Sequence, residues 1–282
     1  MPIPGRQLSW LEERGPEGCL INLVDDATSV SWAQLGEQET IWAVADALRG
    51  WIERYGVPLA LYVHWKNLYK RPATVKEQLR GEEPITQFGR MCAKLGIAII
   101  AASSPQAKGR VERSHGTHQD RLVKKLRRKE ISSYAVTNLY LEREYLPEHN
   151  RRFARTAARA EHYHRRAPRR DGGLDKIFRL ETERTVSADW VVRYGNRFFQ
   201  LQKQSQNTPT LSKVLVYEGR HGQLAIEYRG RTLRFQEIPA PVRPQGDASS
   251  ISPHVPRTRK KSPWKPAASH PWKRAVWEKM QK

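Results

Sequence analysis

Glu112 stands alone. It lies in SSPQAKGRVERSHGTHQDRL, residues 103–122, directly after an apolar run and near the start of a strongly basic helical segment. Between Lys108 and Lys129 nine Lys/Arg residues surround two acids, Glu112 and Asp120. Two readings compete. In one, Glu112 is a solvated glutamate paired with Lys108 or Arg113. In the other it is a ligand for a hard metal ion, and a hard ion is held by several oxygens, so Glu112 needs partners.

The other chemistry-bearing side chains are scattered. Asp25 and Asp26 fall in a turn-rich segment, DDATS, and Asp46 on the solvated face of a helix. His115 and His118 are three apart and close to Glu112, a spacing that suits a metal but also suits polar helix residues beside a polyanion. His149, His162 and His164 sit in an arginine-rich stretch and read as solvated or backbone-contacting. Cys19 and Cys92 are too few and too far apart for a zinc knuckle or a disulfide framework, and Cys92 sits in an apolar pattern as a buried thiol. No Ser/His/Asp arrangement and no phosphate-cradling glycine loop stands out.

The elements that must position Glu112 are legible in the periodicities. CLINLVDDATS (residues 19–29) reads as a buried strand entering a turn, and VSWAQLG as its returning partner. From Thr40 to Tyr55, Ile41, Val44, Ala45, Leu48 and Ile52 recur at helical spacing, with Gly56 as the stop. PLALYVHW (58–65) is a short buried strand, Lys70–Glu83 an inserted polar loop, ITQFGRMCAKLG a helix, and IAIIAA (97–102) another buried strand. The helix of Glu112 follows, then a helix over Tyr134–Leu146 stopped by Pro147. Strands separated by helices pair in parallel, and a leading hairpin pairs antiparallel, so residues 1–146 form a mixed sheet flanked by helices.

Residues 147–183 change character. Eight Arg and one Glu lie between Asn150 and Arg170, an arginine-rich linker. Residues 184–238 alternate in short strands with glycine turns, the pattern of a small all-β, barrel-like domain. Trp190, Tyr194, Phe198 and Phe199 read as its strand core rather than as stacking residues. Residues 239–282 hold ten Lys/Arg against two Asp/Glu, with many Pro and Ser, and read as a disordered basic tail.

The net charge of +21 over 282 residues, with a pI near 10.3, asks for a polyanionic partner, and nucleic acid is the commonest. No run of about 18 apolar residues would span a bilayer, and the start lacks a secretory pattern. A bacterial cytosol or nucleoid is the expectation, with no membrane.

Taken together, VDDATS, LYVHWKNLYK, TQFGRMCAKLGI and above all SSPQAKGRVERSHGTHQDRLVKKLR resemble the catalytic core of integrase-superfamily insertion-sequence transposases, close to the ISNCY-like group. YLPEHNRRFA and ERTVSADWVVRYGNRFFQL resemble the segments that follow that core. The likeness runs from about Gly5 to Ile238. It implies an RNase H-like fold, three acids binding two Mg²⁺, and DNA-end cleavage with strand transfer. It also implies action as an assembly: a homo-multimer, or co-assembly with an intact transposase.

By that resemblance Glu112 is the third acid, a catalytic metal ligand. The second position falls on His64, with 47 residues between it and Glu112, and the first on Pro4, before Gly5. A neutral imidazole is a poor Mg²⁺ ligand, and proline offers no ligand atom. Only three residues precede Pro4, so the first strand is expected to be truncated. The expectation is a catalytically degenerate copy that retains DNA binding through Lys108, Arg110, Arg113, Arg121, Lys124, Lys125, Arg151 and Arg152. Two alternatives stand beside it: a recombinase using another acid set, with Asp25 or Asp26, and a non-enzymatic remnant that modulates an intact transposase.

Overall fold

The computed structural model describes residues 2–3, 5–63, 66–101, 105–159, 161–168, 172–203 and 209–240. Pro4, His64 and the basic tail beyond residue 240 lie outside them, as do the side chains of Lys108 and Arg110.

The apolar run after Gly18 is a strand because both its faces are covered. β1 (Pro2–Ile3) and β2 (Gly5–Leu8) precede β3 (Gly18–Val24), in which every residue is buried. A strand without a wet face has no use for alternation. β3 turns into β4 (Ser31–Gly36), and the turn is closed by Asp25, whose Oδ2 accepts from Thr28 N at 2.9 Å and Thr28 Oγ1 at 2.6 Å. β2 and β4 both pair antiparallel with β3. β1 pairs in parallel with β5 (Ala60–Val63), and β5 in parallel with β6 (Ala98–Ala101). The strands make two three-stranded sheets, β2-β3-β4 antiparallel and β1-β5-β6 parallel, the mixture of parallel and antiparallel pairing that the pattern predicts.

α1 (Ile41–Tyr55) starts at the Thr40 cap and stops at Gly56, φ +94°, a conformation few side chains tolerate. Its inner stripe, Val44, Leu48, Trp51 and Ile52, joins Leu20, Leu23, Leu61 and Phe88 in the main core. The polar segment Lys70–Glu83 is not a bare loop. It contains α2 (Val75–Arg80), fixed by a capping box between Thr74 and Glu77 and by Arg71 on the same glutamate. α2 buries none of its residues, so no apolar stripe announces it. α3 (Gln87–Lys94) packs Phe88, Met91 and Cys92 inward. β6 departs from its reading as a buried strand. Ile100 is 39% exposed, and its partner in register, Tyr62, 38%. The sheet face that carries Tyr62 and Ile100 is not covered by the core.

Pro147 does not end a helix. α4 (Pro105–Arg128) is followed by α5 (Tyr134–Tyr140), a single π-turn over Leu141–Tyr145, and α6 (Leu146–Phe153). Asn138 and Asn150 show why. Asn138 exchanges hydrogen bonds with the Leu35 backbone at 2.7 and 2.8 Å, and Asn150 with that of Ser31 at 2.8 and 2.9 Å. Both side chains thereby satisfy the outer edge of β4. In an unbroken α-helix these asparagines would point about a third of a turn apart. A π-turn absorbs one residue and aligns them. Pro147 sits at the first turn of the α-helix that resumes, where a missing N–H costs least.

The arginine-rich stretch is pinned to the core. Arg155 N donates to Thr28 O, and Val57 and Arg165 exchange backbone hydrogen bonds at 2.7 and 2.9 Å. The Arg165 guanidinium donates to the carbonyls of Leu95 and Gly96 at 2.7 and 2.9 Å, at the C-terminal end of α3, where a cation is favoured. The Arg165 guanidinium is thus committed to the chain's own carbonyls.

β7 (Leu180–Thr185), β8 (Val191–Tyr194), β9 (Arg197–Leu201), β10 (Lys213–Glu218), β11 (Leu224–Tyr228), β12 (Arg231–Leu233) and β13 (Phe235–Ile238) form two antiparallel sheets, ordered β12-β11-β10-β7 and β13-β9-β8. They enclose a second core of Val186, Val192, Phe199, Leu201, Val214, Val216 and Ile226, with Trp190 and Tyr194 packed against it. Glu181 joins this part to α3: its backbone and carboxylate meet Gln87, Arg90 and Lys94. Among the described residues no helix is long and apolar enough to cross a membrane.

Candidate active site and nucleic-acid interface

α4 carries the sequence's central candidate, and its faces divide sharply. His115, His118, Leu122 and Leu126 are buried, with Val123 against the core. They recur at three and four residues, which holds the rest of the helix outward. Glu112 is exposed, and Arg113 beside it is exposed too.

A chain of polar contacts fixes the rotation of the helix. Asn22, fully buried on β3, donates from Nδ2 to Ser114 Oγ at 2.9 Å. Ser114 Oγ lies 3.4 Å from His118 Nε2, and His118 Nδ1 lies 3.0 Å from the Tyr145 hydroxyl on the π-turn. His118 and His149 stack with centroids 4.6 Å apart, and His149 continues onto Phe153 at 4.8 Å. Burial holds the His118 imidazole well below its usual range, with His149 and His115 adding to the effect. Burial, then Arg121 and Lys125, push His149 down to about 4. Both rings are neutral core residues. The expectation that His115 and His118 face a polyanion, and that His149 is solvated, is therefore corrected: inward placement was hidden because histidine is not apolar enough to mark a helix stripe.

The two remaining acid positions, Pro4 and His64, lie outside the described residues. Their neighbours do not. Ile3 and Val63 end β1 and β5 as a parallel pair in register. The rival acids are already engaged. Asp25 closes its own turn, and Asp46 accepts from Arg220 Nε at 2.7 Å. Asp26 lines a polar cavity of about 360 Å³ with Ser29, Ser31, Arg113, Ser114 and Arg155. Among the described residues no group of three or more His, Cys, Asp or Glu is placed to hold a metal ion. The residues that the sequence resemblance aligns with the three acid positions, Glu112, Pro4 and His64, offer one carboxylate between them, too few oxygen ligands to fit a pair of Mg²⁺ ions.

The basic residues from Arg121 onward are not gathered around Glu112. Arg121 lies nine positions further along, two and a half helical turns, so the two project from opposite sides of α4. Arg121, Lys124, Lys125 and Arg128 instead face α6, where with Tyr145, Glu148, Arg152 and Phe153 they line a groove of about 300 Å³. A count of charges along the sequence does not reveal the groove, because Pro147 reads as a helix stop and α6 runs through it.

No family model matches the chain. It is 30% identical over 239 residues, 83% of its length, to "Putative transposase y4bF" of Sinorhizobium fredii, covering 51% of that protein. It is 26% identical over 263 residues, 92% of its length, to the transposase for insertion sequence IS1202 of Streptococcus pneumoniae, covering 55%. Among solved structures it is similar to the HTLV-2 integrase catalytic core domain in complex with magnesium, at 16% identity and TM-score 0.37, over 50% of this chain and 79% of that one. It is also similar to a chain of the simian T-cell lymphotropic virus intasome with a PP2A regulatory subunit, at 13% identity and TM-score 0.38, over 84% and 74%. The chain spans about half the length of the curated relatives it matches. Along more than four-fifths of its own length the chain is similar to these two transposases.

Proposed function

We propose that this chain is a transposase-family DNA-binding protein in which the two-metal strand-transfer chemistry has been lost. The observation that carries the reading is the residue set at the acid positions: Glu112 with His64 and Pro4. In the family reaction Mg²⁺ ions activate the attacking oxygen and stabilise the leaving one. One carboxylate cannot gather two such ions, so no step is assigned to them here. What the chain's own residues do is bind. Exposed Arg113 and Arg151, the Arg121–Arg152 groove and the charge of +21 support contact with a phosphate backbone, and such contact is salt-sensitive and tolerant of sequence. Lys108 and Arg110 belong to the same proposal by sequence.

A strand-transfer assay on short DNA-end duplexes, first with Mg²⁺ and then with Mn²⁺, tests the loss. The chain is compared with a Pro4→Asp, His64→Asp double variant. Silence in the native chain with activity in the double variant is expected. Strand transfer by the native chain refutes the reading, and places catalysis on another acid set. DNA binding is measured alongside, and a chain that binds no duplex at low salt refutes the other half.

A further inference from the structure

The groove between α4 and α6 contains two guanidinium groups in an unusual position. Arg121, from α4, and Arg152, from α6, both lie over the ring of Phe153, with Cζ 5.0 and 5.6 Å from its centroid. Both distances are inside the roughly 6 Å reach of a cation–π contact. The neighbouring charges are neutralised within the fold. Lys124 pairs with Asp120, and Lys125 pairs with Glu148 while its ammonium also approaches the Tyr145 ring. Arg121 and Arg152 have no such partner: among the described residues, neither is paired with a carboxylate. Two like charges on one ring repel. A ring contact contributes only about 0.5–1 kcal/mol at an exposed site, and it gives the guanidinium N–H groups no oxygen acceptor. The fork of a guanidinium matches two phosphate oxygens.

We propose that this groove is a phosphate seat for a nucleic-acid backbone, separate from the Glu112 edge. The inference rests on the DNA-binding reading and deepens it: it names a second place of contact, on the side of α4 opposite Glu112. A backbone seated here is therefore not the stretch that lies against Glu112. The positive field is registered by buried His149, whose ring lines the groove and whose protonation Arg121 and Lys125 oppose. Arg128 lies in the groove one turn beyond Lys124, and Phe153 and His149 are shared with the cavity lined by Arg113 and Arg155.

The test is fluorescence anisotropy of the full chain on a labelled 20-base-pair duplex across a series of NaCl concentrations. Arg121→Gln/Arg152→Gln is compared with Lys76→Gln/Arg80→Gln on α2, which removes the same charge elsewhere. The groove variant is expected to bind roughly tenfold more weakly than the control pair and to lose about one in the slope of log affinity against log salt, the signature of a lost phosphate contact. Equal binding by the two variants overturns the inference and leaves DNA binding standing. A native chain that binds no duplex overturns both. Arg152→Gln alone, at an exposed position, keeps the comparison available if the double variant unfolds. Binding of a single-stranded probe distinguishes the duplex from a flexible strand as occupant, and loss of affinity on either supports the seat.

Discussion

Lowering the pH from 7 to 5 should destabilise this fold through its buried histidines. His149 titrates near 4 in the folded chain because burial, Arg121 and Lys125 oppose its charge; unfolded, it titrates near 6.5. The unfolded chain therefore binds the proton first. Stability is full above about 6.5 and is lost as the pH falls towards 4. Between pH 7 and pH 5 the linkage for His149 alone amounts to about 2 kcal/mol, and His118, also held well below its usual range by burial, acts in the same direction. Glu12, held down to about 2 by Arg127 and Arg14, enters only below its ordinary range and so leaves this window clean. The assay is urea unfolding at both pH values, read by tryptophan fluorescence from Trp10 and Trp51, which are buried in the main core. His149→Phe keeps the stack on Tyr145 and Phe153 and removes the titration. Its stability should fall by about 2 kcal/mol less than that of the native chain between the two pH values. His164, also lowered by burial, is present in both chains and cancels. An unchanged pH dependence in the variant would refute the account.

Three further outcomes follow from the packing. Asn22→Leu removes the bond to Ser114 and should lower stability by about 1–2 kcal/mol, with faster amide exchange along the first turns of α4, measured by hydrogen exchange. Gly50→Ala should destabilise although alanine favours a helix by about 1 kcal/mol; its Cβ would meet the Trp32 ring at 2.8 Å, and overpacking costs about 1–3 kcal/mol. A raised melting temperature would contradict this. Arg165→Ala frees the Leu95 and Gly96 carbonyls and should expose the segment around residue 165 to protease while the second core, around Phe199, stays protected.

How much of this was legible in the residues depends on what each residue had to satisfy. β3, α1 and α3 were readable because burial alone decides them, and burial writes apolar periodicity. α2 was unreadable as a helix by that measure, since it is held by Thr74 and Glu77 and buries nothing; the Thr-Val-Lys-Glu capping box was the signal available. The helix through Pro147 was missed because the constraint is long-range. Asn138 and Asn150 must both reach the edge of β4, and only the partner strand reveals that a π-turn is the solution.

The same distinction governs the charges, and so the function. Composition counts Arg165, Arg127 and Lys129 as equal to Arg121 and Arg152. In the fold, Arg127 is paired with Glu12, Lys129 with Glu144, and Arg165 with two helix-end carbonyls. Each is neutralised or committed before any partner arrives. A net charge therefore predicts that a polyanion binds, while only the inventory of committed cations predicts where. By that inventory the two guanidiniums on Phe153, paired with no carboxylate among the described residues, are placed to meet a phosphate, and the carboxylate at Glu112 lies on the other side of the helix. Under the proposed reading, binding at the groove and chemistry at Glu112 use opposite sides of α4, so loss of one need not carry loss of the other.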